Sequence, residues 1–346
     1  MPRTIEERPI RVGKPQQQGP AAVIQRRAAD RLRAGHLWVY RSDVDELIPS
    51  LDQGTVEGGS LVTVVDSRGL PLGTALYSAA SQISLRMVSG EPARTREGYL
   101  ASVKERLNAA LVLRAELAPE SAENDACRLV FSEADGLPGI VVDKYHDLAI
   151  MQLLTQGTAQ EDIRRLVTEV LTERFPLETV IERPDPRVRE LEQLAPPLLE
   201  PLYRRNPNPD EAKLATIFTI NGLHFHFDSS AGQKTGAFLD QRLNYAAAAR
   251  HARGEALDIC TYQGGFALHL AQQCERVTGV DASRSALEVA DRNRELNPKL
   301  GAKVDWIEAD AFELLREFEA SGKRYDTIVL DPPAFAKSKR AAEGAL

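Results

Sequence analysis

The chain has 346 residues, 43% of them hydrophobic and 27% charged, enough for a sizeable core divided among two or three domains. No apolar run approaches the roughly 18 residues a membrane helix needs, and Met1–Pro20 lacks the apolar stretch of a signal peptide, so it reads as a short disordered arm. Cys127, Cys260 and Cys274 lack metal-ligand spacing, and their odd number argues against a disulfide framework; a cytoplasmic protein without metal or membrane attachment is expected. The formal net charge of -7 speaks weakly against nucleic acid, but Arg3 to Arg41 carries a local +6. That stretch is either a solvated charged face or a phosphate-binding patch.

The first block runs to about Gly90. Leu37–Tyr40, Ser60–Asp66, Gly73–Tyr77 and Ile83–Val88 are short strand-like runs between glycine-rich turns, which predicts a small β-barrel over 21–90. Residues 91–95 read as a linker to a helix at Arg96–Leu117. From Cys127 to Thr155 the pattern is strand, turn, strand, turn, strand, punctuated by Asp135-Gly136 and Leu137-Pro138-Gly139. A helix at Glu161–Phe175 and a strand at Thr179–Glu182 complete a small α+β middle domain over 96–213, whose part from 184 onward is expected to include exposed loop. Thr216–Asp228 reads as a hairpin closed by Asn221-Gly222, the residues a type I′ turn prefers. His224 and His226 share a face of its second strand, but no further ligands accompany them, so a polar face is the simpler reading.

From Arg253 strands and helices alternate. Strands at Ala256–Ile259, Arg276–Val280, Lys303–Glu308 and Tyr325–Leu330 are separated by helices at Phe266–Gln273, Ser285–Leu296 and Ala311–Ala320. This predicts a parallel sheet covered on both faces, a Rossmann-like α/β domain over 214–346. Asp258, Asp281, Asp310 and Asp331 each stand at or just past the end of one of these strands, the edge where open α/β sheets bind ligands. One such acid is often only a helix N-cap; four in register are harder to dismiss. A carboxylate at Asp281 can accept both hydroxyls of a ribose, and one at Asp310 can accept an adenine amino group. The loop Ile259–Gly265 between first strand and helix carries glycines that let a ligand approach the backbone. Asp331-Pro332-Pro333-Ala334-Phe335 forms a rigid turn without backbone donors at its prolines, and Phe335 can stack on a flat base.

The segment Gly232–Arg242, the loop Asp258–Gly265 and the run Asp331–Ser338 together resemble large-subunit ribosomal RNA methyltransferases that carry an N-terminal PUA domain, notably the 5-methylcytosine type. Arg31–Tyr40 resembles the start of their PUA barrel, and Gly136–Asp143 their middle domain, so the resemblance covers essentially the whole chain in order. It implies S-adenosylmethionine as cofactor and ribosomal RNA, 23S or its large-subunit precursor, as partner. Arg26, Arg27, Arg31, Arg33, His36 and Trp38 would grip structured RNA, mainly through phosphates and shape. Asp281 with Ala282 would hold the cofactor's ribose, Asp310 with Ala311 its adenine, and Asp258, Thr261, Tyr262, Gln263 and Gly264 its methionine end, with Asp331 alongside. Gln233 would close near the cofactor and Lys234 would meet its carboxylate; Asp331, Pro332, Pro333 and Phe335 would position the target base.

Cytosine C5 methylation needs a thiolate that adds to C6. In this family that cysteine lies on a strand beyond residue 346; position 334 is Ala, and none of Cys127, Cys260 and Cys274 reads as the nucleophile. Only four of the usual seven strands of such a domain are readable, so a truncated chain that does not itself methylate C5 is expected. Methylation of a guanine nitrogen of ribosomal RNA is the alternative within enzymes, and a non-catalytic RNA-binding protein or degenerate paralogue the alternative of another class. A nicotinamide oxidoreductase shares the first two acids but lacks the third glycine of its fingerprint. The oligomeric state stays open, a homodimer included.

Overall fold

The computed structural model describes residues 9–14, 16, 19–197, 200–206, 208, 213–229 and 237–332. The chain divides into two compact units, residues 1–117 with 128–213 and residues 118–127 with 214–346.

The first unit begins with β1 (Arg11–Val12), β2 (Ala21–Ile24), α1 (Arg26–Arg33), β3 (Trp38–Tyr40), β4 (Val44–Ile48), β5 (Leu61–Val65), β6 (Pro71–Tyr77) and β7 (Ile83–Ser89). These seven strands form one sheet in the order β1-β4-β2-β5-β6-β7-β3. Strand alternation sends Val62 and Val64 inward from β5 and Val39 from β3, onto Ile24, Ala28 and Leu85. Register shifts at Val23/Ile24, Val39/Tyr40, Val64/Val65 and Thr74/Ala75 bend the strands around that core. Arg11 and Val12 fall within the segment read as a disordered arm, yet they pair in parallel with Glu46 and Leu47. A two-residue strand leaves too little pattern in sequence to be seen; the unpaired edge of β4 supplies the reason it forms.

The same unit continues with α2 (Arg96–Leu117), β8 (Ala126–Phe131, whose first two residues count with the second unit), β9 (Ile140–Tyr145), β10 (Leu148–Leu153), α3 (Glu161–Arg174), β11 (Thr179–Glu182), α4 (Pro186–Leu191) and β12 (Tyr203–Arg204). Their sheet runs β12-β11-β10-β9-β8. The stretch after 184, expected to include loop, holds a helix: Asp185 caps it through a 2.8 Å bond from Arg187 N, and Pro186 occupies its first turn.

The second unit carries the hairpin β13 (Ala215–Ile220) and β14 (Leu223–Asp228), then α5 (Arg242–His251), β15 (Glu255–Ile259), α6 (Gly265–Leu270), β16 (Arg276–Asp281), α7 (Arg284–Glu295), β17 (Lys303–Glu308), α8 (Ala311–Ser321) and β18 (Thr327–Leu330). Asn221 and Gly222 both take positive φ, 51° and 78°, as the hairpin turn requires. The four later strands are parallel, in the order β17-β16-β15-β18. Chain direction across the sheet reverses beside β15, so a crevice opens at the carboxyl ends of β15 and β18.

Gly279 in β16 faces Trp306 in β17, and the indole ring lies across the space a side chain would fill. A Cβ at position 279 would stand 2.4 Å from Trp306 Cζ3. Gly279→Ala is therefore expected to cost about 1–3 kcal/mol by overpacking, read as a lower melting temperature. An unchanged melting temperature would mean the indole swings aside freely.

Candidate functional site

The loop between β15 and α6 is held from several sides. Asp258 is 1% exposed, and its Oδ2 accepts from Thr261 Oγ1 at 2.5 Å and from Ala267 N at 2.9 Å. One carboxylate oxygen thus ties the loop to the first turn of α6. Asp281, at the end of β16, accepts from Tyr262 N at 2.8 Å and from Ser283 N at 2.9 Å. Asn293 of α7, fully buried, donates to Gln263 O at 3.0 Å and accepts from His226 N at 2.7 Å. Between these ties the backbone is strained: Cys260 and Tyr262 take φ of 63° and 53°, and Gly264 takes 83°. Left-handed non-glycine residues cost on the order of 1 kcal/mol each and persist where surrounding bonds over-determine them.

Above this loop lies a cavity of about 530 Å³. Thr261, Tyr262, Gln263, Asp281, Asp331 and Pro332 line it, joined by Cys260, Phe238, Gln241 and Tyr245. Phe238 meets Tyr262 edge-to-face at 5.4 Å. Gln241 Nε2 donates to Asp331 Oδ2 at 2.9 Å, and Asn244 Nδ2 donates to Gln241 Oε1 at 2.5 Å, so Asp331 is oriented from α5 and the turn before it. The cavity is anionic in character. Burial raises the Asp258 carboxyl to about 7, against bonds from Thr261 and Ala267 that lower it, and Asp331 and Asp281 add to the rise. Burial and then Asp281, Asp258, Asp331 and Asp310 push the Cys260 thiol up, which holds it protonated. Burial, followed by nearby Asp258, Asp240 and Asp331, raises Tyr245 as well, so its hydroxyl stays neutral. A cationic ligand fits such a well; a free thiolate does not.

Of the residues singled out from sequence, Asp258 and Gly264 lie under or within the loop and do not line the cavity. Asp310 caps α8, its Oδ1 accepting from Phe312 N at 2.9 Å and Glu313 N at 3.1 Å, and neither it nor Ala282 or Ala311 lines the cavity. Gln233, Lys234, Pro333 and Phe335 lie outside the described residues. Sequence reasoning missed Gln241, Phe238, Tyr245 and Asn293. Only the Gly232–Arg242 resemblance pointed near the first two; a lone Asn on a helix carries no signal. Buried His269 was missed too: it stacks on Tyr245 at 4.9 Å, and burial lowers it to about 4, so it is a neutral core residue. Among the described residues no three His, Cys, Asp or Glu side chains group to hold a metal ion, and no helix is long and apolar enough to cross a membrane.

At the other end of the chain, the basic run is partly consumed by ion pairs. Arg27 and Arg31, one helical turn apart on α1, both reach the buried Asp43. Arg33 pairs with Asp66 at 2.9 Å and Arg26 with Asp30 at 3.8 Å. The side chains of Arg26 and Arg27 nevertheless remain 90% and 63% exposed.

A parallel sheet with an acid-rich cavity at its switch point and a strained strand-to-helix loop beneath it is how S-adenosylmethionine-dependent methyltransferases are built. The family model of that description matches residues 210–342, and a PUA-like domain matches residues 23–90. The chain is 36% identical over 312 residues to Ribosomal RNA large subunit methyltransferase I of Tolumonas auensis, covering 90% of this chain and 75% of that protein. It is 32% identical over 329 residues to the protein of the same name from Klebsiella pneumoniae (strain 342), covering 94% and 78%. The chain belongs to this methyltransferase family. A Streptococcus mutans structure assigned as a SAM-dependent methyltransferase shares the fold, with a TM-score of 0.72 at 18% identity over 92% of this chain and 79% of that one. A methyltransferase structure solved with SAH matches equally, with a TM-score of 0.72 at 19% identity over 92% and 77%.

The cavity fits the cofactor of that class by charge, since a sulfonium cation suits an acid-lined well. Asp281→Ala is expected to weaken cofactor binding about 100-fold by calorimetry. It removes a carboxylate that lines the cavity, at about 1.5–3 kcal/mol per charged hydrogen bond, and unties Tyr262 N. Unaltered affinity would mean that Asp281 does not touch the cofactor.

Proposed function

We propose that the protein methylates large-subunit ribosomal RNA, most specifically C5 of a cytosine in 23S RNA, in the cytoplasm where that RNA is made. In this reading residues 21–90 form the RNA-gripping barrel, 96–213 a middle domain and 214–346 the methyltransferase domain. The observation that carries it is the pairing of an anionic cavity with Asp331 and Pro332 in its wall, next to the strained Cys260–Gly264 loop. Bound there, the cofactor supplies an electrophilic methyl group. Asp281 would hold its ribose and the loop backbone its methionine end, while Asp331, fixed by Gln241, would face an unstacked base. A base must leave its stack to reach such a cavity, and exposed Arg26 and Arg27 would contact phosphates of the same RNA.

C5 chemistry adds a thiolate to C6, passes the methyl group to C5, then releases the thiolate as the C5 proton leaves. Cys260 is held as the thiol and Cys274 is buried in the core. The later strand that supplies the thiolate is what the family resemblance implies.

The test is to incubate the full-length gene product with tritiated S-adenosylmethionine and ribosomal RNA from a strain lacking the gene, then digest to nucleosides. Label in 5-methylcytidine is expected. Label in a methylguanosine would keep the cofactor site and move the target to a guanine nitrogen. Cofactor binding without any labelled nucleoside would remove ribosomal RNA as the substrate.

A further inference from the structure

We infer that the groove between β3 and the turn after β8 is a pocket for one unpaired RNA nucleobase, read by stacking and by its N–H edge; this rests on RNA being the substrate. The groove measures about 390 Å³ and is lined by Arg31, His36, Leu37, Trp38, Tyr40 and Glu133. Trp38 and Tyr40 lie two apart on an edge strand and so project to the same face, while Val39 between them is wholly buried in the core packed against this sheet. The fold leaves Leu37, Trp38 and Tyr40 exposed by 39%, 39% and 44%. Exposed apolar residues on an edge strand form a surface that a flat, stacking occupant would cover.

The rings are held in place. Trp38 Nε1 donates to Glu133 Oε1 at 2.8 Å, and the other oxygen of Glu133 accepts from Ser132 Oγ at 2.5 Å. The Arg31 guanidinium stands 5.8 Å from the Tyr40 ring centre. With its N–H tied down at one edge, the indole keeps its face for stacking, which is how single-stranded RNA is commonly held. Charge decides which part of a nucleotide enters. Glu133 repels a phosphate, whereas the exposed side chains of Arg26, Arg27 and Arg33 on neighbouring α1 attract one. The base goes in and the backbone stays along α1. A carboxylate accepts N–H donors, so guanine, with adjacent N1–H and N2–H2, is preferred over uracil, whose one N–H sits between two carbonyls.

Fluorescein-labelled pentaribonucleotides UUGUU and UUUUU, titrated with the protein and read by anisotropy, test this. UUGUU should bind about tenfold tighter. Trp38→Ala should weaken UUGUU at least about tenfold, consistent with the usual stacking contribution, and Trp38→Phe should keep most of it. Glu133→Gln should shrink the difference between the two oligonucleotides. Melting temperatures of the variants separate lost binding from lost folding. Equal affinity for both pentamers, or full UUGUU binding by a folded Trp38→Ala, would overturn the pocket. The methyl-transfer assay is a separate readout: a failed transfer with the pentamer preference intact sinks the substrate assignment and leaves the pocket standing.

Discussion

Asp258→Asn is expected to make the protein more stable at pH 8 and to leave it nearly unchanged near pH 4. The carboxyl is raised from 3.8 to about 7 in the folded state, chiefly by burial. Below about pH 4 both folded and unfolded chains carry it protonated and nothing is lost. As pH rises from 4 towards 7 the unfolded chain ionises it and the folded chain does not, so stability falls. Above 7 the loss is complete, about 4 kcal/mol for a displacement of about three units. Asparagine removes the titration and keeps the structure, because both bonds, from Thr261 Oγ1 and Ala267 N, land on the single oxygen Oδ2. Urea unfolding of both proteins at pH 4, 6 and 8 checks it, the difference between them cancelling every other titrating group. Parallel pH profiles would show that Asp258 ionises normally. Asp258→Ala is the contrasting change. It frees Thr261 and Ala267 together, and the Cys260–Gly264 loop loses the contact that sustains its positive φ angles. Its cofactor affinity should fall about 100-fold, where asparagine holds it within a few-fold.

Glu192→Ala should destabilise the first unit by about 3–5 kcal/mol, the scale at which a buried charge left without its partner acts. Glu192 is 1% exposed, just past α4. Its Oε2 accepts from Ser78 Oγ at 2.8 Å and from Gln156 N at 3.2 Å, and its Oε1 stands 3.1 Å from the Arg86 guanidinium. Removing it strands Arg86, whose side chain is only 10% exposed, and two further donors. Replacing Glu192 and Arg86 together with Met should recover much of the loss, because a buried ion pair and an apolar pair of similar volume are often near-equivalent. Chemical unfolding of the three variants decides: a double variant no better than Glu192→Ala would assign the cost to the Ser78 and Gln156 bonds instead.

Glu192 also marks where reading the sequence stopped. The stretch from 184 onward is rich in charge and proline, and such composition describes an exposed loop as well as it describes a short capped helix carrying a buried acid. Nothing local says that Glu192 meets Arg86, since the two are brought together by packing across about a hundred residues of chain. The basic run on α1 behaved likewise. Its charge was countable, but that Arg27 and Arg31 converge on Asp43 depends on where β4 begins.

What the sequence determined by itself was whatever depends on near neighbours. The two-residue period of Val62 and Val64, the Asn221-Gly222 turn and the alternation of strands and helices after Arg253 are local signals, and the elements follow them. The positions of Asp281, Asp310 and Asp331 at strand ends were legible for the same reason. Tertiary structure alone decided how those acids are used. Asp258 turns inward to brace a loop, Asp310 caps α8, and Asp281 and Asp331 face the cavity. A carboxylate's role depends on which donors and how much water surround it, and those are set by residues distant in sequence: Asn293 on Gln263, Gln241 on Asp331, and Trp306 across Gly279.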